Sequence, residues 1–216
     1  VWSYHDQVAL VVAAMNKIKA AFRSEGVPYG QENVYAAKKR SYWLDQVPRR
    51  RARERLMLLY ANLDDLQGRH AEMEKRLRRL AHRHPVAKRL LAIPGYGVVR
   101  SLTFLVIVDT PFRFATRQKL WRYGGLGLCE TQSGDPSKGR KHPDLQYNRR
   151  LKALAKGAME VALWRSRANP FQAVYRRLVD HGTRDPLARL TVARKLLAVA
   201  WGMWRNDMAY DPARVT

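Results

Sequence analysis

The segment 93–97, with the sequence Ile-Pro-Gly-Tyr-Gly, constrains the fold more than any other feature of this chain. It separates two apolar runs, at 86–93 and 98–108. Two glycines on either side of one residue allow positive backbone φ angles at little steric cost, so the chain can reverse sharply there. The element after the turn then begins with unpaired backbone N–H groups and the positive end of a helix dipole. This combination predicts a tight turn that can bind a phosphate.

The net charge of the chain indicates which kind of molecule it binds. Its 216 residues include 41 Lys and Arg against 18 Asp and Glu, which gives a net charge of +23. Such a surplus favours nucleic acid as the partner. A membrane-surface protein is the alternative, but it needs a helix with one apolar and one cationic face, and the basic residues here are spread along the whole chain.

Two further features bear on the compartment. The longest apolar run, 102–108, is too short to span a bilayer. The single cysteine, Cys129, excludes an intramolecular disulfide framework. We therefore expect a cytoplasmic or nucleoid-associated protein with no membrane partner.

Heptad patterning predicts a coiled-coil arm over residues 1–85. A first helix carries apolar residues three and four apart from Val8 to Phe22. The second helix is more regular, and its seam holds Leu56, Leu59, Leu63, Leu66, His70, Met73, Leu77 and Leu80. This seam fits either an antiparallel hairpin within the chain or assembly between protomers, as a dimer or tetramer. A polar seam position such as His70 can fix the register of such a pair.

The remainder, residues 86–216, is predicted to be a compact and mostly helical domain. Pro170 after Asn169 and Pro186 after Asp185 are typical of helix starts. The run 102–108 is either a helix or a short strand, and the segment 124–146 is predicted to be a long loop. The fold class is therefore mainly all-α.

The hairpin and its flanking runs resemble the helix-hairpin-helix element of many DNA-binding proteins. The alternative is an ordinary turn between two helices. The resemblance implies a grip on a phosphate backbone that is independent of base sequence. The residues that would provide it are Gly95, Tyr96, Gly97, Val98 and Arg100.

A second constellation surrounds Ser133, in the sequence Thr-Gln-Ser-Gly-Asp at 131–135. Basic or potentially basic residues follow at Lys138, Arg140, Lys141 and His142. A serine hydroxyl is a weak nucleophile until its proton is removed or stabilised, and attack on a phosphate also needs cations to offset developing charge. A polar surface turn is the alternative interpretation, since the same residue types form turns.

Six motifs follow one another along the chain: LAIPGYG at 91–97, DTPFRF at 109–114, YGGL at 123–126, QSG at 132–134, NRRLK at 148–152 and ARKL at 193–196. In this order they resemble the insertion-sequence transposase family of the one-ten type, which comprises bridge-RNA-guided recombinases with a serine and a DEDD active site. The resemblance covers roughly residues 86–212, and the helical arm in outline.

The resemblance implies that separate domains of a longer protein carry the metal-binding residues and the nucleophile. The family has an N-terminal RuvC-like domain with four metal-binding carboxylates, a coiled-coil arm and a C-terminal domain with a nucleophilic serine, which Ser133 matches. That serine would attack a DNA phosphate and hold one strand as a phosphoserine. Magnesium is expected in the RuvC-like domain and no cofactor in this chain. DNA and a structured guide (bridge) RNA are the implied partners.

Two departures from the family pattern bear on the site. The acidic domain is missing from these 216 residues, and we expect Val1 to mark either a fragment or a GTG start. The acidic residues of the chain lack the spacing of metal ligands, and Asp109 is interpreted as a helix-end residue. The sequence after the serine, at 137–144, also differs from the commonest sequence of the family at this place. The candidates for contact with the phosphate are Lys138, Arg140, Arg149 and Lys152.

Aromatic residues of the last helices offer a further possible contact. Trp164, Phe171, Tyr175, Trp201, Trp204 and Tyr210 can stack on unpaired bases, but their helical spacing favours core packing.

The resemblance to the transposase family implies serine-dependent DNA strand exchange, with this chain supplying the nucleophile. The alternatives are a non-catalytic helix-hairpin-helix module that binds nucleic acid and a coiled-coil assembly protein whose charge maintains solubility.

Overall fold

The computed structural model describes residues 1–30, 32–130, 141–143 and 146–215, with the side chains of 128–130 and 141–143 left aside. The described chain is mainly helical, which confirms the predicted fold class. It forms two compact units, Val1–Arg76 and Leu77–Thr216. Within the described parts of the chain, no helix is both long enough and apolar enough to cross a membrane.

The first unit is built on two long helices, α1 (Trp2–Ser24) and the greater part of α3 (Arg50–Arg83), with the short α2 (Arg40–Asp45) between them. The two long helices run antiparallel. The ring of Tyr4 lies 4.8 Å from that of His70, and Gln7 donates a hydrogen bond to the carbonyl of Leu66 at 2.8 Å. These contacts pair α1 with α3 inside the chain. Coiled-coil geometry and assembly between chains stay predictions.

The core of this unit lies at the other end of the pair. Phe22, Leu56 and Leu63 are fully buried there, with Tyr60 beside them. The Tyr60 hydroxyl donates to the carbonyl of Val34 at 2.7 Å, and burial raises the pKa of Tyr60 to about 12. Apolar packing and satisfied polar groups therefore stabilise the same layer.

The second unit contains the last turns of α3 and six further helices among the described residues. They are α4 (Pro85–Leu90), α5 (Val98–Val108), α6 (Arg117–Tyr123), α7 (Arg149–Trp164), α8 (Pro170–Asp180) and α9 (Asp185–Arg205). The helices α7 and α9 pack on each other, and the core between and around them includes the fully buried Leu151, Ala155, Leu196 and Leu197. Residues 102–108 lie within α5, so the strand alternative for this run is wrong.

Helix starts follow the sequence signals closely in this unit. Asn169 caps α8 in a capping box with Gln172, and Pro170 occupies its first turn as predicted. Asn148 caps α7 by accepting a hydrogen bond from the N–H of Leu151 at 2.9 Å. Such caps satisfy N–H groups that the helix itself leaves unpaired.

Two short β-strands lie within the segment 124–146, which was predicted to be entirely loop. The strands β1 (Leu128–Glu130) and β2 (Lys141–Pro143) pair antiparallel, with Cys129 opposite His142. The loop prediction is therefore wrong at these six positions. Strands of three residues are too short for the alternation of apolar and polar residues that signals a strand in a sequence.

Candidate nucleic-acid interface

The predicted turn is present between α4 and α5. Gly97 is the N-cap of α5, and the first helical hydrogen bond runs from the N–H of Ser101 to the carbonyl of Gly97 at 2.9 Å. Within the described residues, no side chain caps this end. The N–H groups of Val98, Val99 and Arg100 therefore have no carbonyl acceptor within the helix, and they lie at the positive end of its dipole. Gly97 is exposed and Val98 is half-buried, so a phosphate can approach this end.

Gly95 lies on the opposite, inner side of the turn. Its φ is +87°, and a Cβ added to it would stand 2.1 Å from the carbonyl oxygen of Ala158 in α7. Only glycine fits both the backbone angle and this approach. Gly95 is buried, so it fixes the shape and position of the turn.

Tyr96 also points inward. Its side chain is 3% exposed, and its ring packs edge-on against Phe104 with the centroids 6.0 Å apart. Burial raises the pKa of Tyr96, and its hydroxyl has no hydrogen-bond partner among the described residues. Tyr96 therefore anchors the hairpin in the core.

Arg100 connects the turn to α7. Its Nη1 donates to the carbonyl of Gly95 at 3.1 Å, and its Nη2 lies 3.1 Å from where a Cβ on Gly157 would stand. Burial lowers the pKa of the Arg100 guanidinium. The side chain also lines a groove of about 440 Å³, the hairpin groove, whose other lining residues include Pro94, Gly97, Arg167 and Asn169. Arg100 thus stabilises the turn and contributes charge to the groove beside it.

A second candidate surface lies at the start of α7. Gly125 has a φ of +63°, and a Cβ there would stand 2.5 Å from the ring of Tyr147. The N–H of Asn148 donates to the carbonyl of Tyr123 at 2.8 Å, and its side-chain amide donates to the Tyr123 hydroxyl at 3.0 Å. These contacts hold the glycine-bearing loop 124–127 against the N-terminus of α7.

The basic residues beside this loop are arranged around a cleft of about 460 Å³, the lysine cleft. Its lining includes Gly127, Lys152, Lys156, Arg189, Leu190 and Arg194. The Lys152 ammonium lies 4.0 Å from the centre of the Tyr147 ring. Arg189 is neutralised by Asp185 at 2.9 Å and Glu160 at 3.2 Å. Within the described residues, no carboxylate pairs with Lys152 or Lys156.

The charge at this helix end opposes the helix dipole. The first turn of α7 has no acidic residue among those described, and Arg149, exposed, stands at its first position. Cations near the N-terminus of a helix are unfavourable, whereas an anion there is stabilising. The N-terminus of α7 therefore fits a bound phosphate better than an empty surface.

Arg194, in α9, stabilises the loop 124–127. Its Nε donates to the carbonyl of Leu126 at 2.6 Å, and its own carbonyl accepts a hydrogen bond from Trp121 at 2.9 Å. The spacing of Lys152 and Lys156, one helical turn apart, signals a shared face in the sequence. Arg194 carries no local signal, because its partner Leu126 is 68 residues away.

Ser133 and the first basic residues that follow it lie between β1 and β2 in the sequence. Ser133, Lys138 and Arg140 lie outside the described residues. The described chain reaches Glu130 and resumes at Lys141, and these two residues face each other in the register. The roles of these three residues stay predictions.

The acidic residues of the described ranges do not gather into a metal site. Across the described ranges, no three His, Cys, Asp or Glu side chains are grouped so that they could hold a metal ion. Asp109 is the C-cap of α5, which confirms its interpretation as a helix-end residue.

The predicted aromatic residues are mostly structural. Phe171 is fully buried, Trp204 packs against Phe104, and Trp201 donates to the carbonyl of Pro111 at 2.8 Å. Trp164 is the exception in this set, because its side chain is 53% exposed.

Comparison with known proteins gives consistent matches. Residues 87–176 match the model of the Transposase IS116/IS110/IS902 family. An insertion element IS900 uncharacterized 42 kDa protein of Mycobacterium paratuberculosis is 34% identical over 148 residues, which cover 68% of this chain and 35% of the relative. An IS116 uncharacterized 44.8 kDa protein of Streptomyces clavuligerus is 29% identical over 122 residues, covering 56% of this chain and 30% of the relative. An IS110 uncharacterized 43.6 kDa protein of Streptomyces coelicolor is 28% identical over 155 residues, which cover 71% of this chain and 37% of the relative. The matched part is thus about a third of each relative.

Proposed function

This chain belongs to the IS116/IS110/IS902 transposase family, and from that premise we propose that it cleaves and rejoins DNA strands through Ser133 within an RNA-guided complex. The observation that carries the proposal is the cationic surface at the start of α7. It lies beside the loop that leads into β1, and β1 leads to Ser133. Ser133 lies six positions after Gly127 in the sequence, and a stretch of that length spans at most about 21 Å.

The reaction is a transfer of one phosphoryl group. The Ser133 oxygen attacks the phosphorus of a DNA phosphodiester, a serine–phosphorus bond forms, and the bond from phosphorus to one deoxyribose oxygen breaks. The serine proton is lost to a base, and the departing oxygen takes up a proton to leave a strand end with a hydroxyl. Attack of such a hydroxyl on the phosphoserine reverses the step and rejoins DNA. No hydrolysis intervenes, so the bond energy is kept.

The described residues supply binding and positioning. Arg149, Lys152 and Lys156 offset the charge of the phosphate, since cations beside a phosphoryl group stabilise the charge that develops in the transition state. Arg194 holds the loop that precedes β1. The hairpin at 94–97 grips a neighbouring part of the strand backbone through the N-terminus of α5.

The partners follow from the same proposal. Phosphate contacts from the hairpin groove and the lysine cleft suit DNA and a structured guide RNA alike, because both present the same backbone charge. Assembly of several copies through the helical arm would bring Ser133 to each strand that must be exchanged.

A strand-exchange assay with Ser133→Ala tests the proposal. The assay uses the transposase that carries this chain, together with its guide RNA and DNA. Removal of the nucleophile should lower the rate by at least about 10³-fold, while DNA binding is kept. Ser137→Ala is the matched control, because it removes a hydroxyl four residues away, and it should exchange strands at the normal rate. Normal exchange by the Ser133 variant would refute the assignment.

The second candidate is a non-catalytic module that binds nucleic acid through the hairpin. The uncapped and exposed N-terminus of α5 favours it, since this feature binds phosphate without any chemistry. Under this alternative both serine variants behave as the wild type, and a change at Gly97 that blocks the helix end has the larger effect.

A further inference from the structure

Trp164, the last residue of α7, is exposed although groups from two other helices contact its ring. Its side chain is 53% exposed. The ring of Tyr175, from α8, packs edge-to-face with the indole, with the centroids 5.4 Å apart and the planes at 80°. The guanidinium of Arg189, from α9, lies 5.5 Å from the centre of the indole ring. Both contacts are favourable, so they hold the ring in one orientation at the surface.

Hydrogen bonds fix the two groups that contact the indole. The Tyr175 hydroxyl donates to the carboxylate of Asp185, and the Nε of Arg189 donates to the same carboxylate at 3.0 Å. The Nη1 of Arg189 also donates to the Glu160 carboxylate at 3.2 Å. Because its neighbours are fixed, the ring of Trp164 loses little conformational freedom when a ligand packs on its exposed part.

The same face of α7 carries the two lysines of the lysine cleft. Four residues follow one another at intervals of four and form what we call the α7 row: Lys152, Lys156, Glu160 and Trp164. Residues four apart lie on one face of a helix, and at 1.5 Å per residue the row is about 18 Å long. Arg189 lines the cleft and also contacts the indole, so the cleft and the ring are neighbours.

We propose that Trp164 stacks on an unpaired base of a nucleic-acid strand whose phosphates contact Lys152 and Lys156. The nucleic acid rests on the proposed function, whereas the base contact is new to it. A base suits the exposed indole better than an apolar protein side chain does, because two lysines share the row with the ring. Aromatic rings beside a cationic track are the usual means of binding single strands without sequence preference.

The proposed contact selects for single strands. A base that is paired in a duplex is already stacked on its neighbours, whereas an unpaired base can be splayed out onto an aromatic side chain. An unpaired base occurs in DNA and in RNA alike, so the chemistry of the site suits both. Separate DNA and RNA probes are therefore needed to identify the strand.

Binding titrations with the 216-residue chain test the site. The probes are a single-stranded DNA, an RNA of the same sequence and the DNA duplex that contains it, each titrated at several salt concentrations. Trp164→Ala should weaken single-strand binding about tenfold, the loss of one stacked base, and duplex binding less than about twofold. The slope of log affinity against log salt should not change, because stacking releases no counterions.

Three further variants make the result specific. Trp164→Phe keeps an aromatic face and should retain most of the affinity, which separates loss of stacking from loss of the local fold. Phe112→Ala is the matched control, since Phe112 is 70% exposed and lies 5.7 Å from the Arg205 guanidinium but is outside the α7 row. It should bind single strands as the wild type does. Lys156→Gln should reduce the single-strand salt slope by about 0.7.

Each outcome has a distinct meaning. A loss for Trp164→Ala with the DNA strand, the RNA strand or both, at an unchanged slope, supports the site and identifies the strand that enters it. Equal single-strand affinity of the wild type and Trp164→Ala would overturn the site, and so would a loss equally large for the duplex or for Phe112→Ala. A reduced slope for Lys156→Gln would then leave the proposed nucleic-acid contact standing. If the wild-type chain bound no probe in a salt-dependent manner, both proposals would fall.

Discussion

At the scale of single residues, Gly95 combines two constraints that together exclude any side chain. Its φ of +87° is unfavourable for other residues, and a Cβ would stand 2.1 Å from the carbonyl oxygen of Ala158. Gly95→Ala should therefore force the hairpin off α7 and lower the free energy of unfolding by about 2–4 kcal/mol. Chemical denaturation followed by circular dichroism measures this change.

Gly97→Ala is the matched control for that experiment. Gly97 has an ordinary extended conformation, with φ −88° and ψ 178°, and nothing lies within 4 Å of an added Cβ. The substitution should cost less than about 1 kcal/mol, the penalty of a poorer N-cap. Equal destabilisation by the two variants would show that the packing of Gly95 on α7 does not hold the turn.

The roles of Gly95, Tyr96 and Arg100 show what the local sequence leaves open. The turn itself is predictable, because two glycines and a proline lie between apolar runs. Which side of it faces α7 depends on residues about 60 positions away, Gly157 and Ala158. Arg100 was predicted as a phosphate contact, and its hydrogen bond to Gly95 adds a structural role that no local pattern indicates.

At the scale of elements, the N-terminus of α7 has charges that do not serve its own stability. Arg149→Glu replaces a cation with an anion at the positive end of the dipole and should raise the free energy of unfolding by about 0.3–1 kcal/mol. The same change should weaken nucleic-acid binding, since it puts a negative charge where we propose a phosphate. Denaturation and a binding titration on one protein sample measure both effects.

Arg165→Glu provides the control at the other end of the same helix. Arg165 is the exposed C-cap of α7, where a cation complements the dipole, so the same substitution should be destabilising by a similar amount. If Arg149→Glu lowered stability and left binding unchanged, the N-terminus of α7 would not be a phosphate site.

Helices were more predictable than strands for a physical reason. The start of α8 follows from Asn169 and Pro170, because an N-cap uses the side chain next to the helix end, and α5 ends at Asp109 as predicted. The pairing of β1 with β2 brings together residues 11 to 15 positions apart with no pattern of their own. Leu80 shows the opposite failure, since it continues the heptad seam but is 50% exposed.

At the scale of the whole molecule, a net charge of +23 is the most predictive single property. It indicates nucleic acid from the composition alone, and three concave surfaces of the second unit have basic linings. The charge does not indicate which strand occupies which surface, because a phosphate backbone is the same along its length. Nor does the charge indicate the chemistry, which we assign to Ser133.

Mass spectrometry of the covalent intermediate tests whether Ser133 is the nucleophile. The protein is incubated with a nicked DNA substrate and the proposed guide RNA, quenched and digested, and the peptide spanning 123–138 is fragmented. We predict a nucleotide phosphate attached to Ser133, absent from the Ser133→Ala variant and retained in Ser137→Ala. Strand exchange that proceeds with no adduct at Ser133, or with the adduct on another residue, would show that Ser133 is not the nucleophile.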